Sequence, residues 1–398
     1  GWFFTAAPET WVCALCILAI APLLAPDTAL DAKRLAFCGL LIGCAGLIKP
    51  FYFTFGLSPL LTLAFAAELS WKRRLWLALA LMLGAAAPVA LFLAYFGALG
   101  GLASALEVHV LYTFSTYTHV ASWIKLAIEG APVFLTQPGV VLTAPFAALG
   151  LWSRRGEARL IWPAAAWLGV ALFCVAVQGK FWVYQWFPVY PPLLFLAALG
   201  AYALARSAAP ARAPLILTCC VGLVFAGEVL AQPMRDAAKA AYYFIVKREP
   251  EGFYNSYAFG PYNAADERAA ARHIAARSGP EDGVFIWGND ATVRYLAGRP
   301  NPTRFSFEMP LNLPGAYRDA YRAEAMQGLQ AHPPAYIVLG VTWIWMGVSK
   351  AQSMADFPEF AAFLHDHYTL ETSFGALDLY RRTSPGEPGP EGAPAAAD

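Results

Sequence analysis

Apolar runs close to the thickness of a bilayer recur through the first 231 residues, at about 8–26, 35–48, 51–68, 75–96, 132–152, 160–177, 184–205 and 213–231. A helix needs about 20 predominantly apolar residues to cross the hydrocarbon. Eight such segments in succession predict a polytopic α-helical membrane protein. Composition agrees: apolar residues make up 58% of the chain and charged residues 14%, against about 25% charged in a soluble domain. The net charge of +1 is uninformative, since the charges are distributed by topology, but no basic surface suggests nucleic acid, and none is expected as a partner. The partners expected instead begin with membrane lipids.

Two of the runs, 35–48 and 51–68, are too short to span upright, and only Lys49-Pro50 separates them. Proline removes a helix donor and breaks the run, so the sequence predicts a tight hairpin or a broken helix near one membrane face. Alternating the segments gathers Lys33, Arg34, Lys72, Arg73, Arg74, Arg154, Arg155, Arg159, Arg206 and Arg212 on one side. The opposite connections hold Lys49, Lys125 and Lys180. Positive charge favours the cytoplasmic side, which makes the sparsely charged side the outer one.

The outer lysines carry the functional information. Lys180 stands in Gln178-Gly-Lys-Phe-Trp-Val-Tyr-Gln-Trp-Phe-Pro188, a connection crowded with the aromatic rings that mark a membrane–water boundary. Lys49 is likewise followed by Phe51, Tyr52 and Phe53. A long side chain can snorkel to the interface. Two lysines in turns on one face, each beside aromatics, point instead to an anion site. At an effective dielectric near 20, an ammonium about 4 Å from a phosphate gains roughly 4 kcal/mol per unit charge before desolvation, which offsets the placement. Lys49 and Lys180 are the candidate phosphate ligands; Tyr52, Gln178, Trp182 and Tyr184 are the candidate substrate contacts around them.

The stretch 97–131 is too polar to span and too apolar to float free, so one or two helices lying on the outer surface are expected. It contributes His109 as a further substrate-contact candidate. Glu107 and His109, two apart, face different ways on a helix and form no metal pair. All seven cysteines lie within apolar runs. Cys13 and Cys16 therefore act as small buried hydrophobes rather than as a redox or metal pair.

From about 232 the composition turns polar. A capped amphipathic helix at 263–277, short strands at 284–287 and 336–339, helices near 290–297, 316–330 and 357–366, and a hairpin over about 367–373 and 376–382 predict a small α/β domain. The expected organisation is a helical domain over 1–231, an extracytoplasmic α/β domain over 232–383 and a disordered tail, 384–398. Gly288-Asn-Asp290 lacks the glycine spacing of a phosphate loop and suits a helix N-cap. His365-Asp-His367 lacks the further ligands a metal would need.

Leu40-Leu-Ile-Gly-Cys-Ala-Gly-Leu-Ile-Lys-Pro50, the Gln178-Gly-Lys180 hairpin with Tyr184 and Pro188, and the patterns at 284–288, 295–299 and 333–339 together resemble the GT-C glycosyltransferases that use polyprenyl-phosphate sugars. The closest pattern is the branch of protein O-mannosyltransferases and lipid A aminoarabinose transferases. The resemblance is at the level of pattern and covers nearly the whole chain. It implies a GT-C-like helical bundle in a bacterial inner membrane. The implied activity moves a sugar from a lipid-phosphate donor to an acceptor hydroxyl on a glycan, lipid or protein. It places the principal catalytic acid before Gly1 and leaves Glu9, in Ala7-Pro-Glu9-Thr10, as a second catalytic carboxylate. Family members can use a divalent metal, for which this stretch offers no convincing ligand set. Two other classes fit the composition: a transporter or flippase of a lipid-linked sugar, and a non-catalytic scaffold. The first calls for internal repeats and mid-membrane polar groups; the sequence shows no repeat, and its polar groups gather at one face.

Overall fold

A computed structural model describes residues 8–24, 30–117, 123–136, 138–207, 231–256, 262–340 and 349–383, with Arg212, Leu215 and Cys219 as single residues. The expected segment at 213–231, apart from those isolated positions and Ala231, lies outside the described residues, as does the tail 384–398. The chain divides into two compact units, Gly1–Ala237 and Ala238–Asp398.

The first unit is helical. Its main elements are α1 (Pro8–Ile20), α2 (Ala32–Ile48), α3 (Leu57–Ala64), α4 (Trp71–Ala98), α5 (Pro138–Ser153), α6 (Ala158–Gln178) and α7 (Tyr190–Ser207). Three helices among the described residues are long and apolar enough to cross a membrane: Trp71–Ala98, Ala158–Gln178 and Val183–Ser207, the last including the 3₁₀ turn ahead of α7. Of the eight runs seen in sequence, the seven within the described residues comprise three full-length candidates plus shorter apolar helices. Helix α4 has 28 residues and buries only Leu77, Leu81 and Pro88. Its Met82, Leu83, Leu91 and Tyr95 lie exposed. An apolar surface of that length marks a face that packs against lipid or another helix.

Glycine sets the spacing of α2 and α4. A Cβ at Gly39 would lie 2.9 Å from the Leu81 carbonyl carbon, and one at Gly84 would lie 2.8 Å from that of Ala36. Each helix thus brings its backbone onto the other through a residue that has no side chain, as small-residue contacts do in membranes. The break expected at Lys49-Pro50 is present: α2 stops at Ile48, Pro50–Gly56 forms a 3₁₀ turn, and α3 follows. The surface stretch differs from expectation in kind. It contains π-helical segments at Glu107–Tyr117 and Leu126–Gly130 rather than regular amphipathic helices.

The second unit carries a four-stranded sheet in the order β1-β2-β4-β3, with β1 (Val284–Trp287), β2 (Tyr336–Leu339), β3 (Tyr368–Phe374) and β4 (Leu377–Arg382). Strands β1 and β2 run parallel, and β4 is antiparallel to both β2 and β3. The two parallel strands are buried at every position, which is why they are continuous apolar runs without alternation. On one face Ile286, Val338 and Leu379 pack with Ala270, Ala271 and Ile274 of α8 (Ala264–Arg277). On the other, Phe285 and Trp287 meet Phe360 with ring centroids 5.6 and 4.6 Å apart. The Trp287 indole N–H donates to Ser353 Oγ at 2.7 Å. Arg299 closes the C-terminus of α8, donating to the carbonyls of Ala275 at 3.0 Å and Ser278 at 2.7 Å.

Candidate functional site

Three polar residues far apart in the chain meet inside the helical unit. Proline at 50 disfavours helical backbone at the residue before it, and Lys49 is extended at φ −147°, ψ 126°. That turn of the chain carries the lysine out of the α2 axis. Its Nζ donates to Glu9 Oε1 and, at 2.7 Å, to Gln178 Oε1. Glu9 lies in the first turn of α1, where the helix dipole favours a carboxylate, and is 0% exposed. Gln178 is the last residue of α6, and its own Nε2 donates to the Cys174 carbonyl at 3.1 Å. The helix stops there because Gly179 takes a left-handed conformation, φ 60°.

The pairing changes the electrostatic character expected of the site. Lys49, a candidate bare cation from sequence, is one half of an ion pair with a fully buried carboxylate. Two of its three N–H donors are engaged. Two acceptors or donors in this region have no hydrogen-bond partner among the described residues: Glu9 Oε2 and the Tyr52 hydroxyl, both buried. Tyr52 lies in the 3₁₀ turn after Lys49, edge-on to Phe51 at 4.7 Å, and within electrostatic reach of Glu9. The Tyr184 ring centroid is 6.0 Å from Lys49 Nζ.

Lys180 lies in the turn between α6 and the next 3₁₀ segment, its Nζ 5.3 Å from the Trp182 ring centroid. Burial, and secondarily the charge on Lys49, push its ammonium down to about 7. Its charge is therefore held below that pH and surrendered above it. The structure thus brings Glu9, Lys49, Gln178, Tyr52 and Tyr184 into one neighbourhood, with Lys180 in electrostatic contact and Trp182 over Lys180. His109 reaches α2 one turn before Lys49, at Gly46. Its ring is 5.5 Å from that of Phe92, and burial lowers its basicity against the opposing effect of the Gly46 carbonyl.

Sequence reasoning missed the Glu9–Lys49 bond, because pairing across 40 residues leaves no local periodic trace. It also missed a cluster of acids in the second unit. Asp290 and Glu308 are each 1% exposed. Burial beside Asp290 raises Glu267 to about 7, with the protonated carboxyl donating to Asp290. Asp290 occupies the expected N-cap of α9 (Ala291–Ala297), yet its side chain caps nothing. It turns instead towards Gly340, where an added Cβ would come within 2.9 Å of its Cγ. The paired glycines after β1 and β2 were the sequence signal for that close approach. Among the described residues, no group of three or more His, Cys, Asp or Glu side chains could hold a metal ion.

Helices long and apolar enough to cross a membrane, a largely buried polar constellation in that helical unit and a second, α/β unit define the class as a helical membrane protein that also carries an α/β unit. No protein-family model matches the chain, and no curated protein matches it. Among solved structures it is similar to the archaeal oligosaccharyltransferase AglB from Archaeoglobus fulgidus in complex with an inhibitory peptide and a dolichol-phosphate, at a TM-score of 0.38 and 13% identity. The similarity covers 96% of this chain and 57% of that one, so the chain spans little more than half the length of that enzyme. A likeness of this degree establishes neither fold nor function.

Proposed function

We propose that the chain is part of a membrane glycosyltransferase of the GT-C kind, moving a sugar from a polyprenyl-phosphate donor to an acceptor hydroxyl at the outer face of a bacterial inner membrane. The observation that carries this reading is the buried Glu9–Lys49–Gln178 constellation, with one carboxylate oxygen left without a partner among the described residues. A carboxylate fully removed from water is costly unless paired. Here one oxygen is paired and the other is left to accept.

In this reading the acceptor oxygen attacks the anomeric carbon while the bond from that carbon to the phosphate oxygen breaks. The proton of the acceptor hydroxyl passes to Glu9 Oε2, acting as general base. Lys49 holds Glu9 in place, and its third N–H reaches the phosphate. Lys180 supplies the net positive charge that the departing phosphate needs. Tyr52, Tyr184 and Trp182 line the donor, and Gln178 fixes the Lys49 ammonium.

Binding of undecaprenyl phosphate to the chain in nanodiscs, and sugar transfer to an acceptor, test the reading. Glu9→Gln should bind the lipid normally and lose transfer by about 10²–10³-fold. Lys180→Gln should weaken lipid binding by about tenfold or more. Lipid binding by the wild type should weaken as pH rises above about 7, and Lys180→Arg, charged at all accessible pH, should remove that loss. Wild-type binding and turnover in both Glu9→Gln and Lys180→Gln would remove the proposal.

A further inference from the structure

The turn that presents Lys180 is held in an unusual backbone. Gly179 has φ 60°, and two residues on Phe181 has φ 54°. Glycine takes the left-handed region at no cost, whereas a phenylalanine there crowds its Cβ against the carbonyl. A bulky residue persists in that region only where its surroundings over-determine it. Here they do. Phe181 is buried, and its carbonyl accepts the Trp186 indole N–H at 3.4 Å. Trp186 is buried in turn and stacked on Phe134 at 4.6 Å. The following peptide is also fixed: the Trp182 N–H donates to Gln185 Oε1 at 3.1 Å, and Gln185 is 0% exposed.

We infer that Phe181 and Trp186 are positioning residues: the indole holds Phe181 left-handed, and that backbone turns Lys180 inward to face Lys49. Residue 181 with ordinary extended or right-handed backbone would swing the preceding side chain away from the bundle and into water. The inference rests on the reading of Lys180 as a donor-facing cation for its purpose, but not for its geometry. The groups that set the charge of Lys180 from the packed elements are Lys49 at the end of α2 and, bound to it, Glu9 of α1. Gln178 of α6 and Trp182 of the turn are neutral.

The test measures acylation of Lys180 by acetic anhydride as a function of pH, read by peptide mass spectrometry on the whole chain in nanodiscs. Phe181→Asn tolerates the left-handed region, whereas Phe181→Val does not. Trp186→Phe keeps the ring and removes the donor. The wild type and Phe181→Asn should react with a midpoint near 7, while Phe181→Val and Trp186→Phe should have the midpoint raised by about one pH unit or more towards an ordinary lysine, and so react more slowly near neutral pH. Should Phe181→Val fail to fold, Trp186→Phe carries the comparison alone. Equal midpoints for Phe181→Asn and Phe181→Val, or an unmoved midpoint in Trp186→Phe, would overturn the inference. Undecaprenyl phosphate binding on the same samples separates the two readings. If the midpoints shift as stated and the lipid does not bind, the positioning stands and the glycosyltransferase reading falls.

Discussion

Glu267 stands in the first turn of α8, where the helix dipole should favour its ionised form. Burial next to Asp290 outweighs the dipole and raises the carboxyl from its ordinary 4.5 to about 7. The folded state therefore holds a proton that the unfolded chain has already released between those values. The stabilisation from this group is complete below about 4.5 and is lost as pH rises through about 7. Glu267→Gln keeps a donor towards Asp290 and cannot ionise. Amide protection factors over 264–277, corrected for the intrinsic rise of exchange with pH, should fall from pH 5 to pH 8 in the wild type and stay flat in the variant; parallel profiles would refute the shared proton. Individual residues such as this one are the least legible part of the sequence. Lys49 could be placed because Pro50 dictates its backbone locally. Its partner Glu9, and the burial of Asp290 at what looked like an ordinary helix cap, depend on contacts that arise only after the elements assemble.

At the scale of the elements, helix α4 contains an internal control. A side chain at Gly84 would press on the Ala36 backbone of α2, whereas nothing lies within 4 Å of a Cβ at Gly97 in the same helix. Gly97→Ala should be neutral or gain up to about 1 kcal/mol from helix propensity. Gly84→Ala should lose on the order of 1–3 kcal/mol as the two helices are forced apart. Thermal unfolding in one detergent, with both variants side by side, reads the difference; equal midpoints would mean that α2 and α4 do not meet there. Elements were legible where one physical signal dominates. The break at Lys49-Pro50 and the two buried parallel strands followed from proline geometry and apolar runs. The π-helical stretch at 107–117 did not, since it keeps the residue types of an ordinary amphipathic helix and differs only in how the turns are wound.

For the whole molecule, the distribution of cations makes a statement about sidedness. The connection that holds Lys72, Arg73 and Arg74 is expected in the cytoplasm, and the α/β unit on the other side. With a membrane-impermeant maleimide, Glu281→Cys should label in intact spheroplasts, while Lys72→Cys should label only after the membrane is opened. The reverse pattern would invert the proposed orientation and put the Lys180 turn on the wrong face for a lipid-linked donor.

The length of α4 has a consequence of its own. Twenty-eight residues rise about 42 Å, and even without the basic first turn its apolar part exceeds the roughly 30 Å of an average hydrocarbon layer. Such hydrophobic mismatch is relieved by tilting or by thickening the surrounding bilayer. Gly84 ties α4 closely to α2, and α2 ends just before Lys49; lipid binding at that site should therefore change with acyl-chain length, and equal binding in nanodiscs of short- and long-chain lipid would refute the link.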